Sequence, residues 1–444
     1  MINTFKILTF LSIFWLSGIA KAEPSPGKHP IGAVYSATNY DSENSLVGYL
    51  QYSDGTLEKI GEFKTGGKGT GLIELFDIPY DESGLNTFAD GIDPLASAYG
   101  VWKSQDQKNV LVVNPGNATV SSMRVQPDMS LSLTNVVAAG GPKPLAIASH
   151  GDLVYVSSLG EKKASPNNGF LAGFKIDDAG TLKPIPDSTR SLSARPASVE
   201  FTQDGKYLMS VTITTGVIDI YAVNKDGTLS QQPISSIDSP TSEGRFFALP
   251  IGTDIIPAQN GGHYLFVTET RFVTSKGEFN DASELEKKRY PFLSKYSGQT
   301  GSVSSYLIDE EGQLHLISAD VLAGHAVTGG QQATCWVVVS PEGDRMWVTS
   351  PLTSSVSAYQ VYRDGNIRLS EEIDYQAPDL EKYFLDMDLS ADGRFFNVIS
   401  GNTGEIFVFE IQDQTDRVKL VGAYDGVAKI HSYGLVSVAA PLAK

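Results

Sequence analysis

One short turn recurs along the whole chain and constrains its fold more than any other feature. An acidic residue and a glycine lead into a polar–apolar pair at Asp54-Gly55-Thr56-Leu57, Asp178-Ala179-Gly180-Thr181-Leu182, Asp226-Gly227-Thr228-Leu229, Glu311-Gly312-Gln313-Leu314 and Asp364-Gly365-Asn366-Ile367. Weaker copies stand at Asp128 and Asp413. A second set, Asp204-Gly205, Glu342-Gly343 and Asp392-Gly393, precedes apolar stretches such as Lys206-Tyr207-Leu208-Met209 and Arg394-Phe395-Phe396. Glycine here supplies the positive φ that a tight hairpin needs, and the alternating apolar residues on either side read as strands. The repeat unit is therefore strand a, turn, strand b, loop, strand c, turn, strand d. Residues Ser198 to Ile237 show all four strands.

Second strands begin near Ala33, Val110, Leu153, Tyr207, Tyr264, Met346 and Phe395. Seven four-stranded units predict an all-β, seven-bladed β-propeller. The chain opens on a b-type strand (GAVYSATN) and ends on an a-type strand, Tyr433 to Ala440. The C-terminal strand is thus expected to pair into the first blade and close the ring, which removes open sheet edges. Inner strands are expected to start near Tyr99, Leu145, Ala197, Phe246, Cys335, Leu385 and Tyr433.

The N-terminus reads as a processing signal. Lys6 precedes the apolar run Ile7 to Ile19, and Ala20-Lys21-Ala22 is an A-x-A cleavage site. The run is too short to span a bilayer. Residues 1–22 are therefore expected to be removed, leaving 23–444 as a single propeller domain in a periplasmic or secreted protein. Charge narrows the partners: 34 Lys and Arg against 51 Asp and Glu give a net charge of −17. Nucleic acid and anionic membrane surfaces both require a basic face, so neither is expected as a partner. One cysteine, Cys335, excludes an intrachain disulfide. The six histidines never stand at i, i+4, and neither a metal site nor a cofactor is expected.

Blades of about 60 residues exceed the roughly 40–45 of a minimal four-stranded unit. The surplus falls at Gly66–Ala96, Ser157–Gly169, Ser235–Arg245, Thr270–Gly301 and Ser318–Thr334, all d-to-a or b-to-c links. Those links share one face, so function is expected at the long-loop mouth of the channel. Within 270–301, Asp281-Ala282-Ser283-Glu284 is a capping box that predicts a short helix, either a lid or a solvated surface helix. Acids between Glu74 and Asp93 could hold a cation or simply face solvent.

Thr65-Gly66-Gly67-Lys68-Gly69-Thr70-Gly71, Asp93-Pro94-Leu95, Gly330-Gln331-Gln332-Ala333-Thr334-Cys335-Trp336-Val337 and the recurrent DGTL turns resemble the seven-bladed lactonase propellers. That group includes 6-phosphogluconolactonases of one type and carboxymuconate cyclases, and the chain is most similar to secreted bacterial members. The resemblance implies lactone hydrolysis or cyclisation at the channel mouth. It also implies His after Pro at one inner-strand start, Pro-Arg in the next blade and an acid after the following b strand. Here those places hold Pro144-Leu145, Pro196-Ala197 with Arg195 one residue early, and Ile213 or Thr214. Glu269 stands in the blade beyond.

An acid and a cation near strand ends could activate water and hold an oxyanion, which makes Glu269, Arg271 and Arg195 the candidate catalytic residues. Tyr99, Arg245, His325, Gln331, Gln332, Trp336 and His431 are candidate binding residues for an anionic or sugar-derived small molecule. Some of these have a plainer reading. Glu269 and Arg271 could form a structural ion pair, Trp336 could be blade packing, and His150 is expected on the outer surface of the tight-turn face. Two functions stay open: a lactonase-like enzyme, or a non-catalytic propeller binding a metabolite, glycan or protein.

Overall fold

The computed structural model describes residues 27–71, 94–160, 169–213, 215–240, 245–274, 296–324, 331–378, 382–412 and 417–441, without the side chains of 245–247, 272–274 and 296–299. The expected signal segment, the capping-box helix, the acids 74–93 and His325 lie outside the described residues.

Seven antiparallel sheets are arranged as blades around one axis. Blade 1 combines the C-terminal strand Tyr433–Ala439 with Pro30–Ala37, Ser45–Tyr52 and Leu57–Lys64. Gly32 to Ala37 pair with Ala439 to Tyr433, so the ends of the chain share one sheet, as the strand count predicts. The other inner strands are Val101–Lys103, Pro144–His150, Pro196–Phe201, Arg245–Pro257, Trp336–Val339 and Phe384–Leu389, in blades 2 to 7. Each packs against the next, and blade 7 packs against blade 1, so the ring is closed.

The turns show why the repeat specifies this topology. Gly227 and Gly205 have φ of 87° and 69°, and the acid before each accepts a backbone N–H two residues on (Thr228 N–Asp226 Oδ1, 2.9 Å; Lys206 N–Asp204 Oδ1, 3.2 Å). Asp orients the turn and Gly takes the left-handed residue. At Asp128 the same turn carries Met129 at φ 65°, a strained substitute. Between blades, β-branched and aromatic side chains interdigitate: Val34, Tyr155, Phe266, Trp347 and Phe396 are essentially solvent-free.

Blade 5 departs from expectation. Its second strand runs His263–Thr274 and its third starts at Tyr296, so strand pairing extends into the predicted 270–301 connection. A register shift between Pro250 and Thr253 lengthens the inner strand, and Gly252 lies against Cys335 and Trp336. The channel level of blade 5 is therefore reached at Ile251–Thr253 and not at Phe246.

Candidate functional site

Among the described residues, the long-loop mouth is occupied by the chain itself. Segment Leu95–Tyr99 crosses the axis and bonds four different blades. Ser97 Oγ donates to Leu145 O (3.0 Å), Ala98 N to Ala197 O (3.0 Å), the Tyr99 hydroxyl to Thr253 O, and Tyr99 N to Asp386 Oδ1 (3.3 Å). Ala96 and Tyr99 both adopt positive φ (45° and 68°), a cost the surrounding bonds must hold in place. The Arg195 guanidinium is buried and donates to Leu95 O. It anchors this plug, and the space it lines with Lys143 and Leu145 is only about 10 Å³.

The other predicted residues are dispersed. Glu269 and Arg271 are fully buried inside blade 5, paired with one another, with Asp320 and with Ser302 and Ser304. Gln331 is buried and accepts from Ser355 Oγ, while Gln332 N donates to Thr353 Oγ1 (3.2 Å). Trp336 is buried in the core cluster that also holds Ile251, Cys335 and Val338. His431 is half-buried just before the inner strand of blade 1. The Arg245 side chain lies outside the described residues. Cys335 is buried among the same apolar groups, with its Sγ 3.5 Å from Thr270 Oγ1.

A cavity of about 1090 Å³ opens at the opposite end of the channel, among the tight a-to-b turns. Its wall is formed by the last channel-facing residues of the inner strands: Lys103, Glu200, Asp254, Val338 and Asp388. The arrangement repeats from blade to blade. Glu200 accepts Ile255 N (3.1 Å) and the Thr253 hydroxyl (3.0 Å); Asp254 accepts Val339 N (2.8 Å); Asp388 accepts Ser437 N (2.7 Å). Each acid thus ties its own blade to the next inner strand. Lys103 donates to Asp388 (2.9 Å) and to Ser437 O (3.0 Å). His150 lies on this face but not on its outer surface. It is half-buried in the cavity wall, 6.1 Å from the Phe201 ring, and a side chain at Gly205 would collide with it.

Glu200 and Asp254 both titrate far above the ordinary carboxylate range. Burial raises Glu200 to about 8, reinforced by the charge of Asp254. Burial also raises Asp254 to about 7, with Asp388 adding to the shift while Val339 N–H and Lys103 oppose it. Two acids that share a site this way cannot both ionise cheaply, so near neutrality they divide protons between them. Among the described residues no three His, Cys, Asp or Glu side chains converge closely enough to hold a metal ion.

The shift has a consequence for stability. The folded protein keeps protons that the unfolded chain releases above about pH 4. This contribution is full below the unfolded pKa and is lost as pH rises through about 7–8. The melting temperature should therefore decline between about pH 5 and 9, and Glu200→Gln should make that decline shallower. Parallel melting curves of both proteins across that range check the sign; an unchanged slope would mean that Glu200 is ionised throughout.

The described residues thus form a closed seven-bladed propeller with segment Leu95–Tyr99 across its mouth and an acid-lined channel cavity. Residues 103–243 match the family described as Lactonase, 7-bladed beta-propeller, in agreement with the resemblance seen in the turns. Among solved structures, a periplasmic gluconolactonase of Pseudomonas aeruginosa is 16% identical, with 93% of this chain and 100% of that chain covered and a TM-score of 0.61. Candidate 6-phosphogluconolactonases of Bacteroides uniformis (14% identical, 92% and 99% covered, TM-score 0.59) and Bacteroides fragilis (16%, 94% and 100%, 0.57) are similar in the same way. At these identities the likeness is one of fold. No curated protein matches the sequence.

The acids of the cavity lie further along the inner strands than the strand starts that the turn spacing marks, so that spacing does not single them out. A usable signal was present. Ser198-x-Glu200 and Asp386-x-Asp388 place polar residues at period two along inner strands, so both members face the same way.

Proposed function

We propose that this lactonase-like propeller hydrolyses a small lactone bound in the channel cavity. The observation that carries the reading is the Glu200–Asp254 couple, two carboxyl groups held near neutral pKa on the wall of a cavity large enough for a sugar-sized ring. An acid or base works best when its pKa lies near the operating pH. The ionised member would take a proton from water as that water adds to the lactone carbonyl. Lys103 gives two of its N–H donors to Asp388 and Ser437 O, which leaves the third to donate to the carbonyl oxygen as charge builds there. The ring C–O bond then breaks and the proton passes to the leaving oxygen, giving the open hydroxy acid. The lactonase match over 103–243 and the fold shared with a periplasmic gluconolactonase support this reaction class.

Glu200→Gln should lower lactone turnover by about a hundredfold or more, while ligand affinity changes little. The measurement is hydrolysis of a panel of sugar lactones and muconolactones, together with thermal shift on the same panel. A specific observation favours a second reading, a non-catalytic binding propeller: every one of the three acids already holds a backbone N–H of the next blade. Under that reading no lactone turns over, and Glu200→Gln lowers the melting point alone. Export belongs to the proposal as well. It rests on Lys6, the apolar run to Ile19 and Ala20-Lys21-Ala22, and a mature N-terminus other than Glu23 would count against it.

A further inference from the structure

We infer that the channel cavity takes neutral polyhydroxylated rings and turns away phosphorylated or carboxylated ones. The inference rests on the proposal that this cavity is the ligand site, and of the two ligand classes expected from the sequence, anionic or sugar-derived, it takes the second.

Five carboxyl groups line the cavity: Glu200, Asp254 and Asp388 on the wall, with Glu342 and Asp344 at the turn of blade 6. Glu200 and Asp254 share protons near neutrality and Lys103 balances Asp388, so the lasting negative surplus comes from the ionised part of that couple with Glu342 and Asp344, against Arg363. The Lys103 ammonium is already committed to Asp388 and to a backbone carbonyl. Arg363 sits on the exposed c-to-d turn of blade 6, at the rim. The fork of a buried arginine, which usually receives a phosphate or carboxylate, is missing from this wall, and Arg195 and Arg271 are spent elsewhere in the fold. The net charge of −17 deepens the same field.

A neutral sugar ring meets what the wall offers. Its hydroxyls can donate to carboxylate oxygens and accept from a protonated carboxyl. Its C–H faces can lie on Trp102, Phe201, Tyr264 or Tyr362, which also line the cavity. Those aromatics would suit an organic cation too. The sharing of protons between Glu200 and Asp254 favours the neutral ring, because a carboxyl that retains its proton can both give and accept a hydrogen bond.

Calorimetric titration of the full-length protein with glucose, glucose 6-phosphate and glucosamine separates these classes on one ring skeleton. Glucose should bind at least as tightly as glucosamine. Glucose 6-phosphate should bind about tenfold or more weakly at low ionic strength, with the gap narrowing in about 0.5 M salt. Glu342→Lys, at an exposed rim position, should narrow the gap without salt. Equal or tighter binding of the phosphate would overturn the inference while leaving the cavity as a ligand site, and so would clear preference for glucosamine. Binding of none of the three at millimolar concentration would instead remove the cavity reading, and the inference with it.

Discussion

Deleting residues 431–444 should leave a chain that no longer folds cooperatively. The strand Tyr433–Ala439 is the inner strand of blade 1, and without it Pro30–Ala37 presents an unpaired edge at the centre of the molecule. Tyr433, Leu435, Val436 and Val438 are all buried there. At about 1.5–3 kcal/mol for each large apolar side chain, their loss approaches the 5–15 kcal/mol that holds a typical domain folded. Polar losses add to this. The Tyr433 hydroxyl accepts Asn44 Nδ2 (2.9 Å) and donates to Val113 O, and Ser437 supplies the N–H and carbonyl that fix Asp388 and Lys103. Size-exclusion chromatography should find aggregate, and calorimetry no single transition. A soluble truncation that melts cooperatively would contradict closure by this strand.

That closure was legible because its signal is local. Each Asp-Gly turn needs only its own acid and glycine, and the seven second strands begin within a few residues of where the turns place them, as at Tyr207–Thr212 and Phe395–Ser400. Blade 5 departs from the turn spacing for a tertiary reason. Its hairpin grows past the ordinary blade length, and a bulge between Pro250 and Thr253 resets which residue reaches the channel. No turn residue announces that bulge, so Phe246 was aligned to a level that Ile251–Thr253 occupies.

The candidate site was less legible, because its chemistry depends on what lies across the channel. Glu200 reads in sequence as an ordinary polar residue ahead of a turn. Its raised pKa follows first from burial on the channel wall and then from the charge of Asp254, one blade away. The plug poses the same difficulty. Tyr99 could be placed at the channel from spacing, but its hydroxyl bond to Thr253 O joins blade 2 to blade 5. Long-loop elaboration pointed to the mouth as the working face. The described part of that mouth is filled by Leu95–Tyr99, and the large cavity lies at the plain end.

Arg271→Ala should cost about 3–5 kcal/mol of stability, the range for breaking a buried ion pair from one side. Along the second strand of blade 5, Leu265, Val267, Glu269 and Arg271 project from one face at period two, and the apolar pair packs against Met209 and Val211 of blade 4. The charged pair continues the same row with no exposed side-chain surface. Arg271 Nε lies 2.8 Å from Asp320 Oδ1 and donates to Ser302 Oγ (2.9 Å), while its Nη2 meets Glu269. Removing the guanidinium leaves two carboxyl groups facing each other in the interior. Glu269→Gln should cost much less, because burial already holds the Glu269 carboxyl above its ordinary range and the amide keeps its shape. The pair of variants also tests whether Glu269 is a catalytic base. A base would show lost turnover with a normal melting curve in Glu269→Gln, whereas a structural triad shows turnover preserved in Glu269→Gln and a steep fall in denaturant midpoint for Arg271→Ala. The geometry favours the second outcome, since the Glu269 carboxyl has no exposed surface and is held by Arg271, Ser302 and Ser304.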